Sequence, residues 1–385
     1  MDTRVKRWWA TALLALAIGL GSVGAGLGSP PAGKEETADV LAARKLIASA
    51  QDARRRRRTA PVFILDGSTV GPAETDGLAV SCPRRAPQAI AGLFLVISDE
   101  AGSGGEVQLG DFFPSVNVNG TRADGWIVGV QNLTDQPQEW IGGAVCSRTA
   151  ARYLFFNAEA PPFGVAGRVV ECPRATPNAV SGFFLAASET TGQVQLGDFF
   201  PAPARGGPPY RGRGWVVAVK NLTAEDQEWL GGVVCTKQRT AISFGSAAPV
   251  PPLEVGASLP GCPRGLPHAV SGFFLVVTEE TEELTGQLRV GDFFPSPGRR
   301  GIIGREWVIS VRNLTAEPQD WITGAICMGR GNGVRASSGP PALVAQVDPK
   351  YPTARPSSRQ LRKLCKKPYY REQSRKHRRW CRRYR

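Results

Sequence analysis

The pentapeptide Gly-Asp-Phe-Phe-Pro is written three times in this chain of 385 residues, at 110–114, 197–201 and 291–295. Aligning the copies exposes a longer unit. Each copy opens with Cys-Pro-Arg, at Cys82, Cys172 and Cys262, spaced 90 residues apart in both intervals. A Gly-containing apolar run follows (AGLFLVIS, SGFFLAAS, SGFFLVVT), then an acid at a fixed offset, Asp99, Glu189 or Glu279. After GDFFP comes a loop of variable length and composition. The unit then continues with GWIVGVQNLT, GWVVAVKNLT or EWVISVRNLT and closes with Cys146, Cys235 or Cys327. Length differences fall only before and after the GDFFP run. Constant runs separated by variable gaps are what paired strands joined by surface loops should look like.

The constant runs alternate. In the second copy Trp215, Val217 and Val219 share one face, and Val216, Ala218 and Lys220 share the other. Period two with one polar face predicts half-buried antiparallel strands. About five or six strands per copy follow, with no helix within a copy. The fold class expected is therefore all-β: three tandem small antiparallel β-sandwich or barrel-like repeats, spanning 61–150, 151–240 and 241–335. The equal spacing predicts one disulfide per copy, Cys82–Cys146, Cys172–Cys235 and Cys262–Cys327. Each would close a loop of about 64 residues and contribute about 4 kcal/mol in the chain-entropy account. A fourth pair, Cys365–Cys381, would staple the C-terminal segment. Metal binding by these cysteines is disfavoured, because no Cys-x-x-Cys or Cys/His cluster is present.

The segments flanking the repeats differ from them in chemistry. Arg4, Lys6 and Arg7 precede an uncharged stretch from Trp8 to Gly28, with small residues up to Ala25. Residues 1–25 read as an export signal, or alternatively as a membrane anchor, since about 20 apolar residues can span a bilayer. Either reading puts the body outside the cytoplasm, secreted or surface-associated, where eight cysteines pair. Residues 26–60 form a spacer in which Thr37–Ala53 suits a helix, with acids at its start and Arg54–Arg58 at its end.

The formal charge is +14. Residues 348–385 hold 15 Lys/Arg and 2 Asp/Glu, so they carry 15 − 2 = +13, and the rest of the chain is close to neutral. Residues 336–385 therefore read as a Pro-containing linker and a basic, Cys-paired tail. Its candidate polyanion-binding residues are Arg362, Lys363, Lys366, Lys367, Arg375, Lys376, Arg378, Arg379, Arg382 and Arg383. Behind an export signal the expected partners are anionic cell-wall polymers, acidic glycans or anionic lipid surfaces, with no specific nucleic acid.

Taken in order, Cys-Pro, the Gly-rich strand, Gly-Trp-Val-x-Val-x-Asn and the closing Ala-Val-Cys resemble a repeat of secreted bacterial proteins. The likeness covers 82–146, 172–235 and 262–327. It implies a disulfide-bonded β unit on an exported protein and carries no catalytic residues. An immunoglobulin domain fits less well, because Trp126 lies 44 residues after Cys82.

Within the repeats, Phe112, Phe199 and Phe293 are candidate surface contacts beside the variable loops. Alternation puts Phe113 on the core side with Val107 and Leu109, and Phe112 on the opposite side. The acids of GDFFP could serve as Ca²⁺ ligands with Asp99, Glu189 and Glu279, but no tight acidic loop is present, and capping at a strand end is the preferred role. Asn-Leu-Thr occurs three times, at Asn132, Asn221 and Asn313, and Asn119-Gly120-Thr121 adds a fourth triplet; a turn role is preferred over glycosylation. The two histidines, His268 and His377, match no catalytic pattern, and nucleophile-elbow and phosphate-loop motifs are missing. No cofactor, no metal and no enzymatic activity are expected. The functional expectation is a secreted, cell-envelope-associated binding or structural repeat protein. An extracellular carbohydrate-binding array using the loops after GDFFP is the alternative, and a hydrolase is less favoured.

Overall fold

The computed structural model describes residues 61–97, 106–116, 122–186, 193–203, 212–245, 248–277, 287–297 and 303–329. The expected helix at 37–53, the loops after GDFFP and the Cys365–Cys381 tail lie outside these residues. Each repeat folds as six antiparallel strands. The first contributes β1 (Val62–Val70), β2 (Thr75–Ser81), β3 (Gln88–Ile97), β4 (Val107–Val116), β5 (Ala123–Asn132) and β6 (Gln138–Ser147). The second contributes β7 (Ala151–Ala160), β8 (Val165–Glu171), β9 (Asn178–Ala186), β10 (Val194–Pro203), β11 (Gly212–Asn221) and β12 (Gln227–Thr236). The third contributes β13 (Thr240–Gly245), β14 (Val255–Ser258), β15 (His268–Val277), β16 (Leu288–Pro297), β17 (Ile303–Asn313) and β18 (Asp320–Met328).

The strands do not close repeat by repeat. They form three six-stranded sheets, ordered β1-β6-β3-β16-β17-β14, β2-β5-β4-β9-β12-β7 and β13-β18-β15-β10-β11-β8. Every sheet takes three strands from one repeat and three from another. Within a repeat the two three-stranded leaves face each other, and the disulfide ties one leaf to the other. Between repeats, β4 joins β9, β10 joins β15, and β16 returns to β3, which closes a ring. The all-β class and one disulfide per repeat are as the sequence predicts. The sequence leaves open whether the repeats pack together or lie in series; in the structure their sheets are shared.

All three intrarepeat disulfides are formed, with Cα–Cα separations of 5.7, 5.7 and 5.6 Å. Cys146, Cys235 and Cys327 are fully buried. Glycines permit the packing beside them. A Cβ added to Gly92, Gly182 or Gly272 would lie within 2.0–2.2 Å of the indole of Trp126, Trp215 or Trp307. This explains the glycine in AGLF and SGFF: the next layer's tryptophan occupies the space a side chain would need.

Candidate functional site

At the centre of the ring sit the three residues expected at the surface. Phe112, Phe199 and Phe293 are 1%, 1% and 3% exposed. Their rings form a triangle, with centroids 6.3, 6.0 and 5.9 Å apart, all edge-to-face. Each ring also packs against the tryptophan of its own repeat, at 5.2, 5.0 and 5.1 Å. The assignment of these phenylalanines as surface contacts is therefore corrected. The cause is local. The pairing of each GDFFP strand with its neighbour shifts register between Leu109 and Asp111, Leu196 and Phe199, and Val290 and Phe293. A bulge breaks strict alternation and turns the first Phe toward the pseudo-threefold axis.

The aspartate preceding each of these phenylalanines makes the joint. Asp111 Oδ1 accepts from the Ala186 backbone N–H at 3.2 Å, Asp198 Oδ1 from Val276 at 3.1 Å, and Asp292 Oδ1 from Val96 at 3.1 Å. In every case the donor belongs to the neighbouring repeat. Backbone pairing at the joints is confined to Asp111↔Leu185 with Phe112↔Phe184, to Phe199↔Phe274, and to Phe293↔Phe94. The carboxylate extends a ladder that is otherwise one or two residue pairs long, and a charged acceptor makes the stronger hydrogen bond. The strand continues through GDFFP instead of ending there, so the acid ties two repeats rather than capping a turn. Asp292 has a further partner, because Ser310 Oγ donates to its Oδ2 at 2.8 Å. The equivalent residues are Gly129 and Ala218 in the other repeats. Asp292 is wholly buried, and burial raises its pKa to about 6 against the opposing pull of the Ser310 and Val96 hydrogen bonds.

The Asn-Leu-Thr triplets are structural. Asn221 Nδ2 donates to the carbonyls of Ala160, Pro161 and Glu225 at 3.0, 2.9 and 2.6 Å. Its Oδ1 accepts from the Thr223 backbone N–H and hydroxyl, both at 2.9 Å. Asn132 and Asn313 repeat the arrangement, and all three are fully buried. The amide nitrogen that glycosylation requires is thus enclosed among carbonyls. His268 begins β15 half-buried, with Nδ1 3.2 Å from the Ile303 carbonyl. Among the described residues no group of three or more His, Cys, Asp or Glu is placed to hold a metal ion. No helix among them is long and apolar enough to cross a membrane. Asp99, Glu189, Glu279, Asn119 and the ten basic tail residues lie outside the described part.

Sequence reasoning missed a separation of charge along the ring axis. All three repeats run in the same sense, because β4, β10 and β16 are antiparallel to β9, β15 and β3. One end of the body therefore carries every disulfide, and the other carries every Asn-Leu-Thr turn. At the disulfide end, Arg84, Arg122, Arg148, Arg152, Arg174, Arg213, Lys237, Arg264 and Arg305 are exposed, against the exposed acids Asp124 and Glu171. At the Asn-Leu-Thr end, the exposed charged side chains among the described residues are Glu74, Asp135, Glu139, Glu159, Glu225, Asp226, Glu254, Glu317 and Asp320. The signal was present in Cys-Pro-Arg, which places Arg84, Arg174 and Arg264 at equivalent positions of the three repeats. Comparison of the sequence with protein-family models and with curated proteins yields no match.

Proposed function

We propose that this chain is an exported, cell-envelope-associated binding or structural repeat protein, whose basic tail attaches it to anionic surface polymers or lipids. The observation that carries the reading is the set of three disulfides, which fits an oxidising, extracytoplasmic compartment. The apolar stretch at 8–28, behind three cationic residues, supports the same compartment, and the likeness to repeats of secreted bacterial proteins agrees with it. The tail concentrates +13 of the +14 formal charge in 38 residues, together with Tyr369, Tyr370, Trp380 and Tyr384. Charge of that density attracts phosphate and carboxylate polymers, and the aromatics add interfacial contacts.

Cell fractionation of the full-length chain and of a chain ending at residue 347 tests this. The full-length protein should remain with the envelope and be released only by high salt, whereas the shortened one should shift toward the soluble fraction and come off at lower salt. Equal distribution of the two would remove the tail's role. The carbohydrate-binding alternative has lost its aromatic platform, since Phe112, Phe199 and Phe293 stack on each other at the axis.

A further inference from the structure

We propose that the disulfide end of the body is itself a docking face for an anionic phospholipid bilayer, and that it orients the protein with its acidic end outward. The inference goes beyond attachment by the tail and rests on the envelope reading only for the compartment. Arg84, Arg174 and Arg264 are all exposed and occupy equivalent positions of three repeats arranged in a ring. Equivalent positions around one axis lie in one plane perpendicular to it. Three cations in a plane match a planar array of headgroups better than a single polymer strand, which one groove would follow. Arg148 and Lys237 follow the closing cysteines of the first two repeats and widen the same face.

Two further observations single out this end. The described body enters at Pro61 and leaves at Gly329, both at the disulfide end. The sequence joined there begins with an apolar stretch and Arg54–Arg58 on one side and finishes with the +13 tail on the other. Lipid is the favoured source of negative charge, because an apolar stretch of this length is matched to a bilayer. At the opposite end the exposed acids are repelled by the same surface. Residues 61–329 hold 19 Lys/Arg and 26 Asp/Glu, so the body carries 19 − 26 = −7, with its exposed cations gathered at one pole. A negatively charged membrane attracts that pole, repels the other and so turns the body one way.

Each Lys or Arg held near an anionic leaflet contributes roughly fivefold in affinity, so neutralising three costs about a hundredfold. The test uses the full chain on vesicles of phosphatidylglycerol and phosphatidylcholine. One variant replaces Arg84, Arg174 and Arg264 by Gln; a second replaces the ten basic tail residues by Gln; a third combines both. The inference expects the tail variant to retain salt-sensitive vesicle binding and the combined variant to lose about a hundredfold relative to it. A fluorophore at Ala175→Cys should be quenched by a headgroup quencher, while one at Ala224→Cys, at the acidic end, should not. Loss of all binding in the tail variant, with the arginine variant unchanged, would leave the tail reading standing and overturn this one. Equal quenching of the two labels would overturn it too. So would loss of binding to soluble polyphosphate in the arginine variant with vesicle binding intact, because the face would then be a polymer site.

Discussion

Asp292 links the closure of the ring to pH. Its folded pKa is about 6, raised from 3.8 by burial. Between those values the native state binds more protons than the unfolded chain, so stability falls as pH rises through that window. The contribution is greatest below the unfolded value and is gone above the folded one. Two units at 1.36 kcal/mol each give roughly 3 kcal/mol, of which about 2 kcal/mol should disappear between pH 4 and pH 8. Asp292→Asn keeps the shape and removes the ionisation. Its Oδ1 can still accept from Val96, and its Nδ2 can donate to Ser310 Oγ, which already accepts from the Asp292 backbone N–H at 2.7 Å. The Ser310 hydroxyl then loses its acceptor, a cost of about 1 kcal/mol that does not vary with pH. Urea unfolding of both proteins at pH 4 and pH 8 should show the variant gaining about 2 kcal/mol relative to wild type at the higher pH. A difference that is constant across pH would refute the reasoning. Ser310→Ala removes a bond that favours the ionised form, so it should carry the pH-dependent loss to higher pH.

Gly182→Ala drives a methyl group into the Trp215 indole and should destabilise by about 1–3 kcal/mol in chemical unfolding, with near-ultraviolet dichroism of the tryptophan altered. Asn221→Ala leaves three carbonyls and one hydroxyl of a buried turn without their partner; a loss of about 3 kcal/mol is expected, and Asn221→Asp should not rescue it because three acceptors would then face a carboxylate. Replacing Cys172 and Cys235 together by Ser should cost about 4 kcal/mol, read as a lowered urea midpoint that reductant no longer shifts for that repeat. Phe163 is 63% exposed with φ of 52°, so Phe163→Gly should be neutral or stabilising by up to about 1 kcal/mol in thermal unfolding.

The disulfides and the strands were legible because both are periodic. A cysteine at a fixed offset in three copies leaves few pairings, and alternation such as Trp215-Val217-Val219 identifies a face. The sidedness of GDFFP was not legible, since one bulge at Gly-Asp reverses every residue after it. Reading Phe112 from Val107 and Leu109 counts through the bulge and arrives at the wrong face. The ring was hidden for a different reason. Six strands per repeat could be drawn as a closed sandwich, and the joints that prevent it involve single pairs such as Phe199↔Phe274. No local pattern encodes a partner 75 residues away. The polar ends were spelled out in Cys-Pro-Arg and in the acids around Asn-Leu-Thr. They acquire meaning only once the joints show that all three repeats point the same way.

The ring also explains why the repeat comes in three and why GDFFP varies so little within it. A single repeat presents two unpaired inner strands, β3 and β4 in the first, each with a large aromatic at the contact point. Exposed strand edges with apolar side chains invite pairing with any other chain. Two repeats satisfy one joint and leave two open edges, whereas three satisfy all of them. The central triangle needs one Phe from every copy, and every joint needs one Asp from one copy and one backbone N–H from the next. Substituting within a single GDFFP therefore affects two repeats at the joint and three at the axis. The loops that follow it differ freely in length and composition. Constancy thus follows the contacts between repeats, and the same contacts hold the arginines of the three Cys-Pro-Arg turns at one level on one face.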